Sequence, residues 1–278
     1  MKTICASFQE LGGLVWDRMD SAWKHGLRWS EETSTETLLL ELRKGHRREI
    51  YIEAFSRRAE AGNGSDWEWW IQGADGLWHG MRVQAKRAKP REGVFWRLQS
   101  YQAKGAPKTQ MDTLIHAAAH ASPPLTPIYC FYVTENSGLE GSPLERLASA
   151  CPRPGCLLAL ATDVKGTNSS HLSGIAPVSL PWHFLVCPGA QMDEAGSPTL
   201  RRFIDLIHAR AGSSGPAETH PGDVTFPEGR ASPPHYLSGL LERMDREDGA
   251  YSSSLGELRE YAHKQNLRGF ALIRPRSA

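Results

Sequence analysis

The sequence predicts an α/β protein of the α+β kind, in which a mixed, mostly antiparallel sheet is flanked by helices and followed by a helical C-terminal extension. Three observations carry this. Residues 1 to about 45 place apolar side chains at helical spacing. Three short aromatic or β-branched segments then follow with partial alternation. Helical spacing returns over residues 94 to 121, ahead of the continuous apolar run Ile128-Tyr129-Cys130-Phe131-Tyr132-Val133 that a buried strand needs.

Leu11, Leu14, Val15 and Met19 share one face of a first helix, and Thr35 to Leu42 form a second, with Ser34 or Thr35 as its cap and Gly45 as its stop. The predicted strands are Glu49 to Phe55, Asp66 to Ile71 and Met81 to Lys86. The next helix is broken near Gly105-Ala106-Pro107. Leu157 to Ala161 and Trp182 to Val186 are two further strand candidates. Residues 1–140 are expected to form the core and 141–211 to continue it. Residues 212–234, rich in Gly, Ser and Pro, read as a linker or long loop. Residues 235–278 are expected to form a small helical region, with helices near 235–245 and 254–265 before the strand-like Phe270-Ala271-Leu272-Ile273.

A chain of 278 residues can bury a core without staples. With 32 Lys plus Arg against 31 Asp plus Glu, the net charge of +1 excludes a globally basic coat, so any affinity for nucleic acid is local. A mean hydropathy of -0.44 and no apolar stretch near the roughly 20 residues of a membrane span argue against a membrane protein. Five scattered Cys without C-x-x-C spacing, and a start lacking a signal-peptide pattern, lead to the expectation of a protein of the reducing cytoplasm, with Cys151 and Cys156 as free thiols rather than a metal knuckle.

Side chains alternate along a strand, so Gln84 and Lys86 share one face of the third strand, and Asp66 and Glu68 share one face of the second. Such polar groups are costly to bury unless they pair or hold a cation. Oxygen donors suit a hard divalent ion, so Mg2+ or Mn2+ is expected, with Asp66, Glu68 and the Gln84 amide oxygen as candidate ligands. Convergence requires an odd-length connection or a bulge between the two strands, placing Glu68 opposite Gln84 and Asp66 opposite Lys86, and Gly73, Gly76 and Gly80 make it feasible.

The order helix, three strands, helix, strand, with Asp66 opening the second strand and Gln84-Ala85-Lys86 on the third, resembles the PD-(D/E)xK nuclease superfamily in its Gln-x-Lys, Mrr-like variant. The block Gly64-Ser65-Asp66-Trp67-Glu68-Trp69-Trp70 with Val83-Gln84-Ala85-Lys86-Arg87 also resembles an uncharacterised prokaryotic family usually grouped with these nucleases. The resemblance covers roughly residues 30 to 135. It implies a restriction-endonuclease-like core, metal ligation by Asp66 and Gln84, a water-positioning role for Lys86 and a helix carboxylate at Glu36, with Glu41 as a substitute. The implied chemistry is phosphodiester hydrolysis, of DNA before RNA, with a role in bacterial defence. Ser65 stands where the motif carries Pro, and Gln84 removes one negative charge from the metal shell, which Glu68 or Glu36 would restore.

From Arg82 to Lys108 eight basic residues (Arg82, Lys86, Arg87, Lys89, Arg91, Arg97, Lys104, Lys108) face one acid, Glu92. They are the expected phosphate contacts. Trp96, Tyr101 and Trp78 are interleaved, able to stack on bases or to cover the core. Gln110 and Asp112 fall on the following helix, where related nucleases sometimes place a supporting Gln, but structural capping is the preferred reading of both. Further expected partners are a second copy of the chain and a regulatory partner on the C-terminal region. The competing reading is a nuclease-like fold that binds nucleic acid or a protein without cutting.

Overall fold

The computed structural model describes residues 2–55, 67–73, 76–103, 105–134, 153–187, 227–245 and 255–275. Helix α1 (Ile4–Lys24) is capped by Thr3 and α2 (Glu31–Gly45) by Ser30, whose hydroxyls accept from Ala6 N–H and Thr33 N–H. The cap of α2 thus lies ahead of the expected Ser34 or Thr35. Those two hydroxyls instead donate back to the Ser30 and Glu31 carbonyls. Glu31 and Glu32 therefore occupy the first turn, and Glu36 does not.

The remaining elements are β1 (Ile50–Ala54), β2 (Trp67–Gln72), β3 (Trp78–Lys89), β4 (Val94–Phe95), α3 (Gln110–Ala119), β5 (Thr126–Tyr132), β6 (Cys156–Leu160), α4 (Ala161–Thr167), α5 (Leu172–Ile175), β7 (Ser179–Pro181), α6 (Ser238–Asp245), α7 (Gly256–Gln265) and β8 (Gly269–Ile273). The helix expected from residue 94 is confined to α3. Before it, the chain turns back at Pro90 to Gly93 so that β4 pairs with Ala88 and Lys89, then turns again at Arg97. Trp182–Leu185 is a 3-10 turn rather than a strand.

These strands form one sheet in the order β1-β8-β2-β3-β5-β6-β7, with β4 on the side of β3. The β8/β2 and β3/β5 pairs are parallel and the others antiparallel. The C-terminal region is therefore not an appendage, which corrects the expected division at residue 235. Its last strand fills the gap between β1 and β2. Gly269 permits this, because a side chain there would meet the Trp67 ring at 2.3 Å and the Glu53 carbonyl at 2.4 Å.

Both faces of the sheet are covered. Odd-numbered Trp67, Trp69, Met81, Val83 and Ala85 join Phe8, Val15, Leu38 and Leu42 of α1 and α2 in one apolar cluster. On the opposite face Trp70, Trp78, Phe270 and Leu272 pack with Leu240 of α6 and Leu258 of α7, while Ala88, Tyr129 and Phe131 pack with Leu114 of α3. Burial of this kind contributes on the order of 25 cal/mol per Å² of apolar surface. His46, buried at the end of α2, bridges Ser7 Oγ (2.7 Å) and Glu49 (2.8 Å) and so ties α1 to the start of β1. A disulfide joins Cys5 to Cys187, which the expected reducing compartment does not anticipate, while Cys130 and Cys156 are buried thiols outside any disulfide.

Candidate functional site

Strand β3 is the spine of the site. Residues 73 to 77 connect it to β2, an odd-length connection as required, and the register sets Glu68 opposite Arg82 and Trp70 opposite Gly80. The predicted face holds, since Glu68 shares a sheet face with Gln84 and Lys86, but the pairing is displaced along the strand. Sterics dictate the displacement. A Cβ at residue 80 would approach Leu125 to 2.4 Å and the Trp70 ring to 2.6 Å, so the indole requires Gly80 beside it. Gly80 sets the register and makes no bulge.

That register separates two groups of polar residues. Glu68 and Arg82 are fully buried and paired at 3.2 Å. The carboxylate also accepts from Trp70 Nε1 (2.8 Å), Tyr236 OH (2.5 Å) and Tyr261 OH (3.3 Å), and Arg82 Nη2 donates to Tyr261 OH and Gln265 Oε1. Burial, with Glu68 close by, pushes both phenols above their ordinary range, so they stay protonated and donate. This corrects two expectations. Glu68 is committed to a protein network rather than open to a metal, and Arg82 lies inside the protein rather than on a phosphate-facing surface.

Towards the other end of β3, Gln84 is buried and Lys86 half-buried. Lys86 Nζ donates to Gln110 Oε1 at 2.5 Å, and Gln110 Nε2 donates to Gln84 Oε1 at 3.2 Å. One carboxamide from the first turn of α3 thus bridges both residues of the Gln-x-Lys segment. Thr109 caps α3 and Gln110 N–H donates to the Tyr101 carbonyl, which fixes where that carboxamide starts. Asp112 serves the cap instead, accepting from Thr109 and pairing with Lys165 at 2.7 Å. Lys86 Nζ also lies 5.5 Å from the Tyr101 ring centroid.

The other candidates separate by location. Asp66 and Lys104 lie outside the described residues. Glu36 is exposed on α2, whose apolar side packs on the opposite face of β3, and Glu41 pairs with Lys44. The α2 carboxylate that reaches β3 is Glu31, accepting from Arg87 N–H at 2.9 Å. Sequence reasoning passed over it because the helix start was placed too late. Arg87, half-buried and with its guanidinium pKa lowered mainly by desolvation, lines an open cleft of about 230 Å³ with Trp23, Arg28 and Lys89. Lys89 pairs with Glu92, Arg91 stacks on Trp23 at 3.7 Å, Arg97 lies against Trp96 and Tyr101, and Lys108 is exposed.

Among the described residues no three His, Cys, Asp or Glu side chains gather to hold a metal ion. Near Lys86 the described donor set offers the neutral Gln84 oxygen, which does not by itself fit a hard divalent cation. No described helix is long and apolar enough to cross a membrane.

The chain belongs to a family of unknown function, DUF6615, whose model matches residues 4–276. That span runs from α1 through β8, in keeping with a C-terminal segment that completes the sheet. No curated protein and no solved structure matches it.

Proposed function

We propose that this protein is a metal-dependent nuclease that hydrolyses phosphodiester bonds, DNA being the first substrate to test. The observation that carries the reading is the Gln84–Gln110–Lys86 bridge. It orients an ammonium group at the half-buried end of β3, against the Tyr101 ring that the Arg97 guanidinium also faces. A fixed cation in a partly desolvated setting stabilises charge that develops on a phosphoryl oxygen. It does so as an electrostatic element and needs no deprotonation. A divalent ion, when bound, would supply a polarised phosphoryl oxygen and an acidified water. Gln84 would furnish one of its oxygens, and the carboxylate the ion needs would come from Asp66, the residue preceding β2.

The test is incubation of supercoiled plasmid and single-stranded DNA with the full chain in magnesium, in manganese and in chelator, beside Lys86→Ala and Asp66→Ala. Cutting in metal alone, lost in both variants, is the expected result. Equal cutting by parent and variants would remove the assignment. A second reading, binding without cutting, is favoured by the commitment of Glu68 to its buried network and by the neutral amide at Gln84. Tight binding with intact strands under every metal would select it.

A further inference from the structure

Trp96 is 69% exposed, which is unusual for the largest apolar side chain and sets it apart from Trp67, Trp69, Trp70, Trp78 and Trp182, all buried. Its surroundings are ordered and cationic. Arg97, in the left-handed region at φ 49°, turns the chain so that its carbonyl accepts from both Ser100 N–H and Tyr101 N–H. That turn sets the Tyr101 ring 5.9 Å from Trp96, with the Arg97 guanidinium 5.3 Å from one ring and 5.7 Å from the other. A non-glycine residue in this conformation costs about 1 kcal/mol. The hydrogen bonds of the turn offset that cost and fix the backbone that carries the exposed indole.

The same turn is fastened to Lys86. Tyr101 accepts from Gln110 N–H through its carbonyl, Gln110 accepts from Lys86, and the Lys86 ammonium lies against the Tyr101 ring. Lys86, Tyr101 and Trp96 thus form a series of cation, ring and exposed ring. A paired base inside a duplex has both faces covered by neighbouring base pairs, so an indole on the surface can stack only on a base that is unpaired or terminal.

We propose that Trp96, backed by Arg97 and Tyr101, is a stacking platform for an unpaired nucleobase next to the phosphate that Lys86 faces. The site would then act on single strands or frayed ends rather than on intact duplex. The inference rests on the nuclease reading for the role of Lys86, but its test needs no cleavage.

The experiment is fluorescence anisotropy in chelator. The probes are labelled oligothymidylate, labelled oligouridylate, the corresponding duplex, and an abasic strand of equal length that keeps the phosphates and lacks the bases. Trp96→Ala is expected to weaken binding of both single strands by about 5- to 100-fold. Duplex and abasic strand should change by less than about twofold. Trp96→Phe, which keeps an aromatic face, is expected to recover most of the loss. Because the residue is exposed, matching melting curves will show that both variants fold. Equal losses on single strand, duplex and abasic strand, no loss on any of them, or a Phe variant as weak as the Ala variant would each overturn the platform. The nuclease reading fails separately, if Lys86→Ala cuts single-stranded DNA in metal as fast as the parent does.

Discussion

Arg82 and Lys86 stand on the same face of the same strand, yet they illustrate opposite fates of a buried-strand cation. At the Arg82 end, α6, α7 and the preceding turn close over the sheet and supply Tyr236, Tyr261 and Gln265, so the charge meets Glu68 and is sealed. At the Lys86 end Gln110, from the first turn of α3, orients the ammonium and leaves it half-buried against the Tyr101 ring that Arg97 also faces. What covers a charge, and with which atoms, decides whether it is structural or is left where a ligand can meet it.

The sharpest way to break the comparison is at Glu68. Glu68→Ala leaves Arg82 buried without its counter-charge and is expected to cost about 3–5 kcal/mol of stability. Denaturant unfolding measures it, and a midpoint equal to the parent's would mean that water reaches Arg82. Lys86→Ala should do the reverse, reducing cleavage by roughly 10²- to 10³-fold while stability changes by less than about 1 kcal/mol. Initial rates and melting curves on the same preparation separate the two effects.

His183 is a buried group without a counter-charge among the described residues. It is 1% exposed, its Nδ1 finds no hydrogen-bond partner among the described residues, and burial pushes its pKa down from 6.5 to about 4. The folded protein keeps this ring neutral over a pH range in which the unfolded chain has already bound the proton. Stability is therefore expected to fall as pH drops from about 6.5 towards about 4, by up to roughly 3 kcal/mol, and His183→Phe to flatten that limb. Parallel acid titrations of the two proteins would expose a wrong assignment as identical curves. The smallest expected effect belongs to Gln110. Gln110→Ala should leave Lys86 present but unrestrained and lower cleavage by about tenfold, with Gln110→Glu reporting whether the bridge needs a neutral amide.

Much of this pattern was legible before any coordinates. Period and alternation located α1, β1, β2, β5 and the C-terminal helices, because an amphipathic face or a buried strand imposes its spacing on nearby residues. The identity of Gln84 and Lys86 as a facing pair was legible for the same reason. The role of Gln110 was half visible, since its position on the following helix was clear but a cap and a bridge look alike in one dimension. The start of α2 was misplaced because Ser30, Ser34 and Thr35 all carry the capping hydroxyl, and only the backbone geometry chooses Ser30.

Non-local pairing was not legible. Nothing within residues 269–273 states that they lie between β1 and β2, because an edge strand and an inserted strand have the same apolar pattern. Glu68 read as an available carboxylate for a related reason, since Tyr236 and Tyr261, which enclose it, are far away in the chain. The Cys5–Cys187 pairing, across 182 residues, belongs to the same class. By itself the sequence determined which residues lie on which face of each element, since that depends on short-range periodicity alone. Tertiary structure decided which of those faces would be sealed and which left within reach of solvent, since long-range packing determines whether a charge finds its partner inside the protein.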